Sequence, residues 1–149
     1  MVVMFLITLV AVGAAVAAWL RPIPHETSAT PPAPTYTEQQ VAEAKSMVCA
    51  AVQKVKHATD VNAVRNGGDD PNVQLMVATT QRQVFVIGSA YLMTTLAEAP
   101  AAPSDLAAIA NNLAHLYQVA TLDGLAGSIS EAVRNSANDD GFKIDELCK

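Results

Sequence analysis

The side chains with the most chemistry in this 149-residue chain are two cysteines, Cys49 and Cys148, standing 99 positions apart. A cysteine pair can act as a redox switch, as half of a metal site, or as a structural disulfide. No C-x-x-C occurs, so thiol exchange has no motif behind it. The wide spacing fits no zinc-ligand pattern, and no histidine lies near either cysteine in sequence to complete a ligand set. A structural Cys49–Cys148 disulfide is therefore expected. A closed loop of about 100 residues is worth roughly 4 to 5 kcal/mol in the chain-entropy treatment, an upper figure that strain reduces.

The other candidates are weaker. His57 falls among Lys54, Lys56 and Asp60, His115 stands beside Leu113 and Leu116, and His25 lies in a proline-rich stretch. Ser89, His115 and Asp123 supply the residue types of a nucleophile–base–acid set, yet no glycine-flanked serine elbow supports it. Asn138-Asp139-Asp140-Gly141 has the look of a calcium loop. With Gly141 at its sixth position, however, Ser136 stands first and Leu147 twelfth, where an aspartate and a bidentate glutamate are required. Asp69-Asp70 reads as a helix cap. No catalytic residue, metal site or cofactor is assigned, and an enzyme is not expected.

The elements that would hold these residues begin with a contrast in charge. Residues 1 to 20 carry no charged side chain. Twenty apolar or small residues at about 1.5 Å each reach about 30 Å, enough to span a bilayer's hydrocarbon core. Trp19 and Arg21 follow where interfacial anchors belong. Ala15-Val16-Ala17 has the form of a signal-peptidase site, but no Lys or Arg precedes the run and it exceeds the usual h-region length of about 7–15 residues. A transmembrane anchor over 1–20 is expected, with Gly13 and Ala17 as a small-xxx-small pair that would let two spans approach.

Residues 21 to 36, RPIPHETSATPPAPTY, hold five prolines and no sustained apolar pattern, which makes them a tether. Residues 37–149 are long enough for one core. One of the nine basic residues and one of the fourteen acidic ones precede residue 37, so this domain keeps the whole chain's net charge of −5. That balance argues against nucleic acid, whose phosphates would be repelled. Arg21 alone would place the domain in the cytoplasm. The paired cysteines fit an oxidising compartment, so residues 21–149 are expected outside it.

Within 37–149, Thr37 and Gln40 form a T-x-x-Q capping box. From Glu38, Val41, Ala44, Val48, Val52 and Val55 recur at helical spacing until Asn66-Gly67-Gly68 closes the run. Asp70 and Pro71 open a second helix to about Glu98, whose Val84-Phe85-Val86-Ile87 centre also suits a buried strand. Met76, Thr80, Val84, Ile87 and Tyr91 continue without a turn signal, which favours helix. After the proline break at 100–103, Ser104 caps a third helix striped by Leu106, Ile109, Leu113, Leu116 and Ala120. Gly124 and Gly127 weaken it, so that it bends or frays before Arg134. Asn135–Gly141 reads as a polar turn, and a tail returns to the core through Phe142, Ile144 and Leu147. The expected fold is all-α: one transmembrane helix, then a small antiparallel bundle of three long helices plus a C-terminal tail.

The tether leading into TYTEQQVAEAK, together with VCAAVQKV, RNGGDDP, YLMTTLAEAPAAPSDLA and the terminal LCK, resembles the small alanine- and proline-rich membrane proteins of mycobacteria over roughly residues 30 to 149. The uncharged N-terminus departs from that pattern. The resemblance implies a single-pass cell-envelope protein with a helical outer domain, and it supplies no functional residues to carry over. Two functions fit these expectations. The first choice is a structural or interaction module that docks an envelope partner, with Tyr91 and Tyr117 serving either as contacts or as core. The alternative is a module that binds a lipid or other apolar ligand between its helices. An excess of small residues can mean tight packing or a cavity, and both stay open at this point.

Overall fold

A computed structural model describes residues 34–149; the expected anchor at 1–20 and all of the tether before Pro34 lie outside the described residues. Four helices and no strand occur among the described residues: α1 Glu38–Ala63, α2 Pro71–Glu98, α3 Ser104–Ala126 and α4 Glu131–Leu147. No helix among them is long and apolar enough to cross a membrane.

Each start has a local cause. The capping box forms: the Gln40 backbone N–H donates to Thr37 Oγ1 at 3.2 Å and the Thr37 N–H donates to Gln40 Oε1 at 2.9 Å. Asp70 Oδ1 accepts the Asn72 N–H at 2.8 Å, and Pro71 takes the first position of α2, where no donor is needed. In α3, Pro103 occupies the cap and Ser104 is already helical without a capping bond, one residue away from expectation. The α1 helix ends at Ala63, short of Asn66-Gly67-Gly68, which forms the connecting loop.

The larger correction concerns the C-terminus. The expected polar turn and tail are a fourth helix, capped by Ser130, whose Oγ accepts the Val133 N–H at 3.3 Å. Gly127 makes it possible: at φ 128° it stops α3 in a conformation that L side chains rarely adopt. Phe142, expected in the core, is 68% exposed, while Ile144 is fully buried and Leu147 partly so. The strand alternative for Val84–Ile87 is also set aside. On α2 the buried face is Gly88, Ser89, Leu92 and Thr95, and Met76, Ile87 and Tyr91 face outward.

The helices run up and down in sequence order. On α1 and α4, Cys49 meets Cys148, Gln53 meets Asp145, and Lys56 reaches Asp145 and Gly141, an antiparallel succession. The α3 helix packs on both α2 and α4, α2 packs on α1, and the α1–α4 contact is slight. Val48, Val52, Leu92, Leu106, Leu113 and Ile144 form the centre of the core at the disulfide end. Helix approach there is close. A Cβ on Gly88 would lie 2.6 Å from Val55 Cγ1, so only glycine fits without displacing that valine. Cys49 and Cys148 are joined as expected, with their Cα atoms 5.7 Å apart, so the last turn of the domain is tied to its first helix.

Candidate functional site

At the opposite end the four helices do not close. The second half of α1, the first half of α2, the second half of α3 and α4 as far as Phe142 surround a half-open cavity of about 990 Å³. Small residues leave this space: Ala78 on α2, Ala120 and Gly124 on α3, and Ala137 and Gly141 on α4 all line it where larger side chains would meet. Phe85 and Tyr117 provide an aromatic wall, stacked with centroids 5.3 Å apart and planes 17° from parallel. Val77, Ile129 and Val133 extend the apolar surface.

The charged part of the lining is mostly basic. Lys56, Arg65, Arg82 and Arg134 line the cavity, against Asp60 as its one carboxylate. Arg82 Nη2 donates to the Gly124 carbonyl at 2.8 Å, within the last turn of α3, where carbonyls lack helical partners and a cation suits the helix dipole. Asn62 Nδ2 donates to the Ala58 carbonyl at 2.8 Å, whereas its Oδ1, also at this site, is buried without a donor. Burial raises the Tyr117 phenol above its ordinary value; the Thr59 hydroxyl opposes that shift and the Asp60 charge adds to it. Tyr117 therefore remains a neutral hydroxyl at physiological pH.

Lys56 forms an ion pair with Asp145 and donates to the Gly141 carbonyl at 3.3 Å, which closes α4 onto α1 beside the cavity. The Lys56 ammonium holds the Asp145 carboxyl below the usual carboxylate range, helped by the Gln53 amide at 2.8 Å and opposed by slight burial. A depressed carboxyl stabilises the fold above its unfolded pKa of about 3.9 and loses that contribution as pH falls through the folded value. With the carboxylate side chain 35% exposed, solvent screening limits the pair to about 0.5–1 kcal/mol. Thermal melts from pH 6 to pH 2.5 should show Asp145→Asn less stable than the parent near neutrality and converging with it at the acid end. Parallel curves would show that the pair is inert.

The sequence-level candidates do not converge here. Ser89 is buried in the bundle, His115 is exposed, and Asp123 Oδ2 accepts the Ser130 N–H at 3.1 Å, so these three form no catalytic set. His57 is exposed. Asn138–Gly141 is helical, and Asp140 accepts from Asn112 Nδ2 at 2.6 Å and pairs with Lys143 at 3.4 Å. No group of three or more His, Cys, Asp or Glu that could hold a metal occurs among the described residues. Tyr117 is core and cavity wall together, while Tyr91 is exposed with the Lys54 ammonium 5.6 Å from its ring centroid. The cavity itself is what sequence reasoning left unlocated. Its only sequence signal was the surplus of small residues.

Fold and site thus define a disulfide-closed four-helix bundle, packed at one end and open at the other. Comparison with known proteins gives no matching protein family, no matching curated protein and no matching solved structure.

Proposed function

We propose that residues 37–149 are a binding module that holds a small apolar or amphiphilic molecule in the open end of the bundle, carried outside the cytoplasm on the N-terminal anchor. The observation that carries this reading is the cavity of about 990 Å³, at the upper end of the roughly 300–1,000 Å³ typical of small-molecule sites, with an aromatic and aliphatic wall and a few polar groups. The Cys49–Cys148 bridge supports an oxidising setting, and the resemblance to mycobacterial membrane proteins supports the cell envelope. A second reading, docking of an envelope protein, draws on the exposed Leu122, Leu125 and Phe142.

Native mass spectrometry of the full chain, extracted from its host's envelope, should reveal a population heavier by one small molecule. Returning that molecule should raise the melting temperature, since a ligand at 100 times its Kd adds about 2.7 kcal/mol. A leucine at Gly124 offers a control. A Cβ there meets nothing nearer than Arg82 Nε at 3.5 Å, so Gly124→Leu should fold and fill the space. Loss of the heavy population in Gly124→Leu places the ligand in the cavity. A bare parent chain whose melting point no envelope lipid extract moves would end the binding reading and leave docking.

A further inference from the structure

Charge is not spread evenly over this protein. The chain has nine basic and fourteen acidic residues, yet the cavity takes four of the nine and one of the fourteen. Lys56 is answered by Asp145, which lies outside the lining. The remaining three cations are all arginines, and none of Arg65, Arg82 and Arg134 forms an ion pair among the described residues. Asp60 can offset one of them, which leaves an excess of positive charge beside the apolar wall of Phe85 and Tyr117.

Resting on the binding reading above, we infer that the ligand is an anionic amphiphile: one apolar chain lies along Phe85 and Tyr117, and an oxyanion head is held by the guanidinium groups of Arg65, Arg82 and Arg134. Guanidinium groups present paired N–H donors in the planar geometry that carboxylate and phosphate accept, and they lose less hydration than an ammonium on binding. Arg82 spends one Nη2 contact on the Gly124 carbonyl, which fixes its side chain at the cavity. Arg65 and Arg134 are exposed, so they can close on a head group that reaches the opening. An extended polyanion does not suit the site, because the surface outside the cavity is acidic. Carboxylate and phosphate heads share this chemistry.

The test uses the full chain in a non-ionic amphipol and three probes of equal chain length: dodecanoate, dodecyl phosphate and the neutral glycerol ester monolaurin. Calorimetric titration at low salt should give at least about tenfold tighter binding for an anionic probe than for monolaurin, the scale expected of charge-assisted hydrogen bonds. The double variant Arg65→Gln/Arg134→Gln should lose about tenfold or more toward the anions and change by less than about twofold toward monolaurin. Both side chains are exposed, so folding does not depend on them, and unchanged melting without ligand checks this. The tighter anion identifies a fatty-acid or a phosphoryl head. Equal affinity for all three probes would overturn the anionic head and leave the apolar cavity standing. Failure of every probe to bind would strike the binding reading itself.

Discussion

Reducing the Cys49–Cys148 bridge is expected to remove about 4 kcal/mol from the domain's stability. The loop it closes spans 99 positions, for which the chain-entropy treatment gives about 4.7 kcal/mol, and loss of native disulfides in small domains costs about 2–5 kcal/mol. The topology makes the upper part of that range reasonable. Contacts run mainly between neighbours in sequence, α1 with α2, α2 with α3 and α3 with α4, while α1 and α4 touch only slightly. The bridge is the covalent tie across that thin seam, assisted by Lys56–Asp145 and by Gln53–Asp145. A domain of this size shifts by about 4 °C or more per kcal/mol, so the melting temperature should fall by about 15 °C. The double variant Cys49→Ala/Cys148→Ala should behave like the reduced parent, and reductant should leave the variant unmoved. A fall of under about 1 kcal/mol in both would mean that the helices hold the seam alone.

How much of this was legible in the chain follows from what kind of signal each part leaves. The starts of α1 and α2 rest on single side chains reaching backbone groups two or three residues away, and Thr37, Gln40 and Asp70 announce them. The α3 stripe is built of leucines, whose spacing stands out against Asn, His and Gln. The α4 helix has a stripe too, through Val133, Ala137, Gly141 and Ile144 to Cys148 at its cap, but its middle is made of small residues and interrupted by Asn138, Asp139 and Asp140, which look like a turn. Taking that stretch as a loop also put Phe142 in the core, whereas in a helix it lies off the buried face. The two meanings of small residues divide by position. Gly88 serves close packing, and Ala120 and Gly124 serve the cavity; which role each has depends on side chains from other helices. The basic lining was hidden for the same reason, because Lys56 and Arg65, Arg82, and Arg134 come from three separate stretches of chain and line one cavity only after folding.

The dependence of the cavity on α4 gives the second large prediction: Ile144→Ala should cost about 3–4 kcal/mol and loosen one wall of the site before it unfolds the bundle. Ile144 is fully buried, the one large side chain of α4 in that position, and truncation of such residues costs about 2–5 kcal/mol through lost burial and the void left behind. The loss falls on the helix that carries Val133, Ala137 and Gly141, one wall of the cavity. With the bridge intact, Cys148 still holds the end of α4 to α1, so the weakened helix should detach locally rather than pull the core apart. Hydrogen exchange should then accelerate over residues 131–143 well beyond any change in α1, α2 or α3, and affinity for the cavity ligand should fall with it. Ile144→Val, which removes one methylene, should cost only about 0.5–1.5 kcal/mol and keep the α4 wall in place. Equal acceleration in all four helices would show instead that α4 and the core unfold as one unit, and that the α4 wall does not detach separately.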